Sequence, residues 1–291
     1  MRRSIKYLFL LVASLIALIA LAVVFVNRTV EQRLAETYEI SVAPIEVPTD
    51  AAAIERGRHL VTTIFFCQEC HGEDLAGKPH FDDPLSGTVA AKNLTAGAGG
   101  VGGTFSDADW VRAIRHGVDQ DGHPLIEMPS NSYYFIGDTD LGAIIALLKS
   151  LPPVDNVLPE RDLGLFYQLA ILSDPSLIPA EVIDHTAPRP PAPEPGVNAE
   201  YGKYLATACT ICHGPDLSGG TAAGAGLDLT EAGNLPDWTE AEFMHALRTG
   251  ERPRGEDIDP NRMPWKRVGK LTNDELRAIW LYLQTLQQEE A

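Results

Sequence analysis

Cys67-Gln68-Glu69-Cys70-His71 and Cys209-Thr210-Ile211-Cys212-His213 are two copies of one string, Cys-x-x-Cys-His, in a chain of 291 residues. Two thiols three positions apart on a tight helical turn can add across the two vinyl groups on one edge of a porphyrin. The histidine that follows is then carried beneath the ring, where its imidazole can bind iron as the proximal ligand. The pattern is the attachment signature of a c-type haem. Two competing readings use the same cysteines. The pairs could close one four-thiolate zinc site, or either pair could be a redox dithiol. Neither chemistry requires a histidine directly after each pair, and the pairs stand far apart in the chain. All four cysteines lie in the two strings, so none remains for a structural disulfide or a thiolate nucleophile.

Outward from the strings, the chain repeats itself. Gly57-Arg58-His59-Leu60 before the first corresponds to Gly202-Lys203-Tyr204-Leu205 before the second, with three fewer residues in the second approach. Gly72-Glu73-Asp74-Leu75-Ala76-Gly77 matches Gly214-Pro215-Asp216-Leu217-Ser218-Gly219, and Asn93-Leu94-Thr95 matches Asp228-Leu229-Thr230. Ser106-Asp107-Ala108-Asp109 and Thr239-Glu240-Ala241-Glu242 each read as a capping-box helix start. Both helices run to a C′ glycine, Gly117 and Gly250. Leu141 and Leu276 then mark closing helices over about Asp138–Leu151 and Thr272–Gln287. Asp50 reads as the N-cap of a helix over about Ala51–Ile64 that leads into the first string. Two tandem copies of one helical module account for these matches.

A proximal histidine leaves the other axial position of each iron to be filled. Of four methionines, Met1 precedes the apolar segment and Met244 falls inside a helix in register with Val111, as a core side chain would. Met128 and Met263 align with each other, and each precedes a proline that fixes the loop and removes a donor. This pair is expected to ligate iron through sulfur, giving His71/Met128 and His213/Met263 as ligand sets. His80, His116 and His123 compete with Met128, and His245 competes weakly with Met263. Arg115 and Arg248 occupy one register position in both copies. An arginine fork suits a haem propionate, so both are candidate cofactor contacts beside Cys67, Cys70, Cys209 and Cys212.

Ahead of the first copy, Met1-Arg2-Arg3-Ser4-Ile5-Lys6 is basic, and Leu8 to Val26 is apolar except for Ser14. That stretch is long enough to cross a bilayer as a helix. The preceding positive charges set the N-terminus in the cytoplasm and the rest outside. It exceeds the usual apolar core of a cleaved signal, so an uncleaved anchor is expected. Between the copies, Leu163 to Leu172 is too apolar to float free, and a short helix lying across one or both modules is expected there. Ala187 to Pro195 is a stiff proline-rich connector. Formal net charge is −17, which argues against a nucleic-acid partner.

These residues resemble tandem class I cytochrome c domains behind a membrane anchor. The resemblance rests on Cys67, Cys70 and His71 with Met128, and on Cys209, Cys212 and His213 with Met263. It covers about Ala51–Pro152 and Asn198–Gln287. It is closer to bacterial membrane-anchored diheme cytochromes, and to cytochrome subunits of periplasmic dehydrogenases, than to single-haem soluble carriers. It departs from dehydrogenase-linked subunits that carry three haems. The resemblance implies an all-α fold: two tandem class I cytochrome c-like domains behind an N-terminal transmembrane helix. The expected divisions are an anchor over 1–27, a spacer over 28–49, domain 1 over 50–152, a proline-rich linker or strap over 153–197, and domain 2 over 198–291. Each domain is expected to hold one covalent haem c on the periplasmic face of the inner (cytoplasmic) membrane, moving electrons without making or breaking substrate bonds. The expected role is a relay between a dehydrogenase or quinol-oxidising donor and a terminal oxidase or other acceptor. Two alternatives are a diheme peroxidase-like enzyme and a fixed electron-transfer subunit of an oxidase or dehydrogenase complex.

Overall fold

A computed structural model describes residues 2–189, 191–220, 226–230 and 235–286. The chain is about half helical with little sheet. It opens on α1, Arg2–Leu34, a single helix that carries the apolar stretch and continues past it. The helix thus runs into the residues expected as a spacer from 28. Val30 and Leu34 bury themselves in a small core with Tyr167, Ile171 and Ile178, and that contact holds the extra turns helical.

The first copy begins with α2, Ala51–His59. Asp50 caps it, its carboxylate accepting from the amides of Ala52 and Ala53. The helix widens into a π-turn over Leu60–Ile64, and Phe66 then takes a left-handed conformation (φ 53°) just before the first string. These residues are where the first approach carries its three extra positions; the second approach is made by a single 3-10 turn over Thr207–Cys209. The string itself forms α3, Cys67–His71. A hairpin follows, β1 (Lys78–Asp83) with β2 (Gly87–Ala91). Next come α4 (Asp107–Val111), extended by a π-turn over Arg112–His116, then α5 (Ser130–Tyr133) and α6 (Asp138–Ser150). Ser106 and Asp109 form the expected capping box, and Gly117 closes the extended helix at φ 66°.

The strap contributes β3 (Asp162–Leu163), which pairs with β2 and completes a three-stranded antiparallel sheet, and α7 (Leu165–Ser173). Among the described residues, the sheet is the departure from a purely helical expectation. The helix differs in placement: α7 packs on α1 instead of across the modules. Its Tyr167 and Ile171 reach Val30 and Leu34, an apolar surface formed only because α1 continues through the expected spacer. Pro190 of the proline-rich connector lies outside the described residues.

The second copy runs α8 (Ala199–Ala206), α9 (Thr210–His213), α10 (Glu240–Thr249), α11 (Trp265–Val268) and α12 (Asn273–Thr285). Thr239 with Glu242 and Thr272 with Glu275 form capping boxes, and Gly250 ends α10 at φ 81°. Gln287, the expected end of the last helix, lies outside the described residues.

Each copy crosses its first helix over its last, α2 on α6 and α8 on α12. At each crossing a glycine is pressed against a carbonyl of the partner helix: Gly57 on Ala143 and Gly202 on Ala278. A Cβ at either place would enter that carbonyl, so the matching glycines set the helix spacing. Both crossings feed one continuous apolar core that includes Leu60, Trp110 and Leu141 from the first copy with Leu205, Phe243 and Leu276 from the second. Polar contacts close the seam between copies. Tyr204 donates to Asp140 (2.8 Å), and Asp140 also accepts from Arg56 through two 2.9 Å bonds. His59 Nε2 meets the Glu275 carboxylate at 2.9 Å.

Candidate metal centres

Each Cys-x-x-Cys-His string is a short helical turn closed by glycine in an extended, positive-φ conformation, Gly72 at φ 81° and Gly214 at φ 82°. The chain then folds back so that Gly77 donates to the His71 carbonyl and Gly219 to the His213 carbonyl, both at 2.8 Å. Leu75 and Leu217 sit in left-handed backbone (φ 59° and 63°) and accept from Leu94 (2.9 Å) and Leu229 (2.8 Å). This reverse turn delivers one further carbonyl to each histidine. His71 Nδ1 lies 2.8 Å from the Lys92 oxygen, and His213 Nδ1 lies 2.6 Å from the Leu227 oxygen. A carbonyl can only accept, so Nδ1 carries the proton in both rings and Nε2 is left as a lone-pair donor. Burial lowers the pKa of both imidazoles, against the opposing pull of those carbonyls, and keeps them in the neutral, metal-binding form.

The cysteines occupy surroundings of matching kind. Burial pushes the Cys67 and Cys209 thiols up to about 12, and raises Cys70 and Cys212 as well. Such an environment disfavours the thiolate that zinc binding or dithiol exchange requires, and suits sulfur held as a neutral thioether. Among the described residues, the four cysteines do not come within ligand distance of one another as a shared metal site. They line one continuous cavity of about 1580 Å³ together with both histidines and both methionines, Met128 and Met263. A pocket for one ligand spans roughly 300–1,000 Å³, so the cleft has room for more than one bulky apolar group. The loops behind the methionines match too, with Ser130 donating to the Met128 carbonyl and Trp265 to the Met263 carbonyl, both at 2.7 Å.

The histidines that compete with Met128 divide. His80 and His123 line the cleft, whereas His116 faces away from it and meets His185 Nδ1 at 3.0 Å. His245 is exposed and pairs with Glu251.

Neither arginine lines the cleft. Arg248 is exposed, bonded to the Gly269 carbonyl and to Asn273 Oδ1 (2.9 Å), at the start of α12. Arg115 makes the corresponding clamp on the start of α6, to the Ile136 carbonyl and to Asp138 (2.6 Å). It differs in being fully buried, with Nε and Nη1 lacking a partner. Ile136 borders both the cleft and a smaller cavity that Arg115 lines.

Two residues of the site carry no motif and escape sequence reasoning. Trp110 is 2% exposed, lines the cleft and has an indole N–H without an acceptor. Its register partner is Phe243, which has no donor, so the repeat gives no hint of it. Arg267 follows Met263 by one turn of α11 and reaches back to the first string, donating to Gln68 Oε1 at 2.7 Å and pairing with Glu69 and Glu73. The methionine loop of one copy is thereby tied to the cysteine string of the other. The carbonyls of Lys92 and Leu227 could have been found, because each immediately precedes a matched triplet, Asn93-Leu94-Thr95 or Asp228-Leu229-Thr230.

Residues 199–287, less than a third of the chain, match the family model described as cytochrome c. A cytochrome c domain is therefore present in the second copy and implies haem c there. Among curated proteins, the chain is 29% identical over 280 residues to a subunit of the nicotinate dehydrogenase of Pseudomonas putida, covering 87% of this chain and 23% of that protein. It is 25% identical to the cytochrome c subunit of the quinone alcohol dehydrogenase of Gluconacetobacter polyoxogenes, covering 81% of this chain and 56% of that one. It is 27% identical to a diheme cytochrome c-type protein of Cereibacter sphaeroides, covering 75% and 81%. The chain thus spans about a quarter of the first relative and about half of the second.

Proposed function

We propose that this chain is a diheme electron-transfer subunit, anchored at the periplasmic face of the inner membrane and docked on a dehydrogenase. The observation that carries the reading is the convergence of both Cys-x-x-Cys-His strings and both Met-Pro loops on one cleft. Cys67 with Cys70, and Cys209 with Cys212, would hold the two haems through thioethers. His71 and His213 would each offer Nε2 to iron, oriented by the carbonyl on Nδ1, and Met128 and Met263 would offer thioether sulfur. The free N–H of Trp110 and the two unpartnered nitrogens of Arg115 are donors that propionate carboxylates in the first copy would satisfy. Arg248 is assigned to clamping α12 and no longer to a propionate.

Haem ligated in this way takes up and releases single electrons. The residues around it would keep the iron coordinatively filled, exclude water with apolar walls and fix the two halves at one separation through Arg267. The names of the relatives, two of them subunits of dehydrogenases, favour a fixed subunit over the free relay expected from the sequence. The anchor rests on the length and mean hydropathy of α1, which is long and apolar enough to cross a membrane.

Replacing Met263 with alanine tests the ligand sets. The ferrous variant should bind carbon monoxide at one of two haems per chain while the wild type binds none. Binding by neither haem would remove Met263 as a ligand, and a protein with a single covalent haem would remove the diheme reading. Co-purification with a dehydrogenase after mild detergent extraction is expected of a fixed subunit. Recovery of the chain alone would return it to the free relay.

A further inference from the structure

Helix α7 is apolar on both sides, and only one side is covered. Tyr167 and Ile171 are buried against Val30 and Leu34 of α1. On the other side Leu165 is 41% exposed, Phe166 67% and Leu169 48%. Leu85, 71% exposed at the hairpin turn, is stitched beside them: Gly164 donates to the Ser86 carbonyl (2.9 Å) and Phe166 to the Leu85 carbonyl (3.3 Å). A helix at an aqueous surface carries polar side chains on its outer face, and one that is hydrophobic all round belongs in an apolar medium.

The height of α7 says which medium. The apolar part of α1 ends at Val26. At about 1.5 Å per residue, Val30 lies roughly 6 Å and Leu34 roughly 12 Å beyond that point. The headgroup layer on each face of a bilayer is about 5–8 Å thick, and interfacial helices sink their apolar side about 5–10 Å into it. Polar bonds tie the strap to the anchor as well. Arg33 of α1 bonds Glu181 through Nε and Nη2 (2.8 and 2.5 Å) and the Ile171 carbonyl through Nη1 (2.8 Å), which joins the strap to the last turn of the anchor helix.

We infer that the outer face of α7, with Leu85, lies in the lipid interface and seats the haem-bearing body on the bilayer surface. The inference rests on the reading of α1 as an anchor. The lipid need not be anionic. The chain carries a net charge of −17, and the Asp83 carboxylate accepts from the Leu85 and Ser86 amides within the patch, so apolar burial supplies the contact. A seated body presents its cleft to partners at one fixed orientation, whereas a tethered body would sample many.

The test uses the full, haem-loaded chain in phosphatidylcholine nanodiscs, with a photo-crosslinking phenylalanine analogue in place of Phe166. The same analogue at Leu21, within the apolar stretch, and at exposed Leu281 on α12 provides references. Burying one exposed phenylalanine favours lipid contact by at least roughly tenfold, so position 166 should form about ten times more lipid adduct than position 281. Lipid adducts at 21 but none at 166 would overturn the inference and leave the anchor standing. Adducts at neither position would overturn the anchor and the inference together. A protein adduct at 166 in native membranes, without lipid, would give the face to a partner subunit instead.

Discussion

The two copies repeat one local frame under different cover. Both place a carbonyl on the proximal Nδ1, both turn back through a left-handed leucine, both start α4 or α10 with a capping box, and both cross helices at a glycine. Around this shared frame, the first copy carries the β1–β2 hairpin and the π-turns and is followed by the strap, none of which has a counterpart among the described residues of the second. Cys212 is exposed where Cys70 is half-buried, and Arg248 is exposed where Arg115 is buried. In the proposed reading, the features that recur are those that would hold a porphyrin and its iron. The features that differ decide how much water and protein surround it. Cover of this kind lowers the local dielectric and strengthens every charge contact within it, so the two sites are expected to titrate electrons at different potentials.

The shared frame is most sharply tested where it is tightest. Gly57→Ala and Gly202→Ala each drive a methyl group into a backbone carbonyl of the partner helix, which can yield only by moving the helix. Overpacking of this kind costs about 3 kcal/mol. Thermal denaturation should record a similar loss for both variants, because the crossing is the same. A large loss for one and none for the other would break the equivalence of the copies at its structural root.

The sequence made this frame legible and left the cover dark, for physical reasons. Cys-x-x-Cys-His, the Met-Pro loops, the capping boxes and the glycines have fixed local spacings, and repetition in one chain doubled each signal. The fold class followed, with the helices of both copies in place. The hairpin is different: fifteen residues separate Gly77 from Asn93 and only eight separate Gly219 from Asp228, so the repeat does not double its signal. The last turns of helix α1 are polar along the sequence, so the sequence alone points to an anchor that stops at residue 27. Only the partner surface of α7, more than a hundred residues away, shows why Val30 and Leu34 stay helical. The arginine pair shows how a true repeat can carry a second duty beside the one expected of it. Arg115 and Arg248 recur because each ties the end of one helix to the start of the last, at Ile136 and Asp138 or at Gly269 and Asn273. A sequence cannot separate that duty from binding a carboxylate.

That pair also sharpens the comparison. Arg115→Met removes a buried guanidinium and its bonds to Ile136 and Asp138, at a cost of about 2 kcal/mol. Arg248→Met removes an exposed one and should cost less than about 1 kcal/mol. Redox titration of both variants separates the clamp from the propionate contact. Arg115→Met should shift the potential of one haem and leave the other unchanged, whereas Arg248→Met should shift neither. A shift with Arg248→Met of the same size as with Arg115→Met would restore the symmetric reading.

The smallest effect lies at the seam that holds the copies together. Burial alone would raise the pKa of Glu275, but hydrogen bonds from His59 and from the backbone and hydroxyl of Thr272 outweigh it and hold the carboxyl below its usual 4.5. A depressed carboxylate contributes stability that is fully present above pH 4.5 and is lost as the pH falls through the folded value. The seam should therefore weaken on acidification below pH 4.5, by on the order of 1 kcal/mol. Glu275→Gln should flatten that part of the stability profile. Because the carboxylate bridges α12 to His59 and Arg56 of α2, the same acidification should slow electron exchange between the two haems before either copy unfolds. Equal pH profiles for the wild type and Glu275→Gln would mean that the copies are held by their common apolar core alone, and that the polar seam adds only alignment.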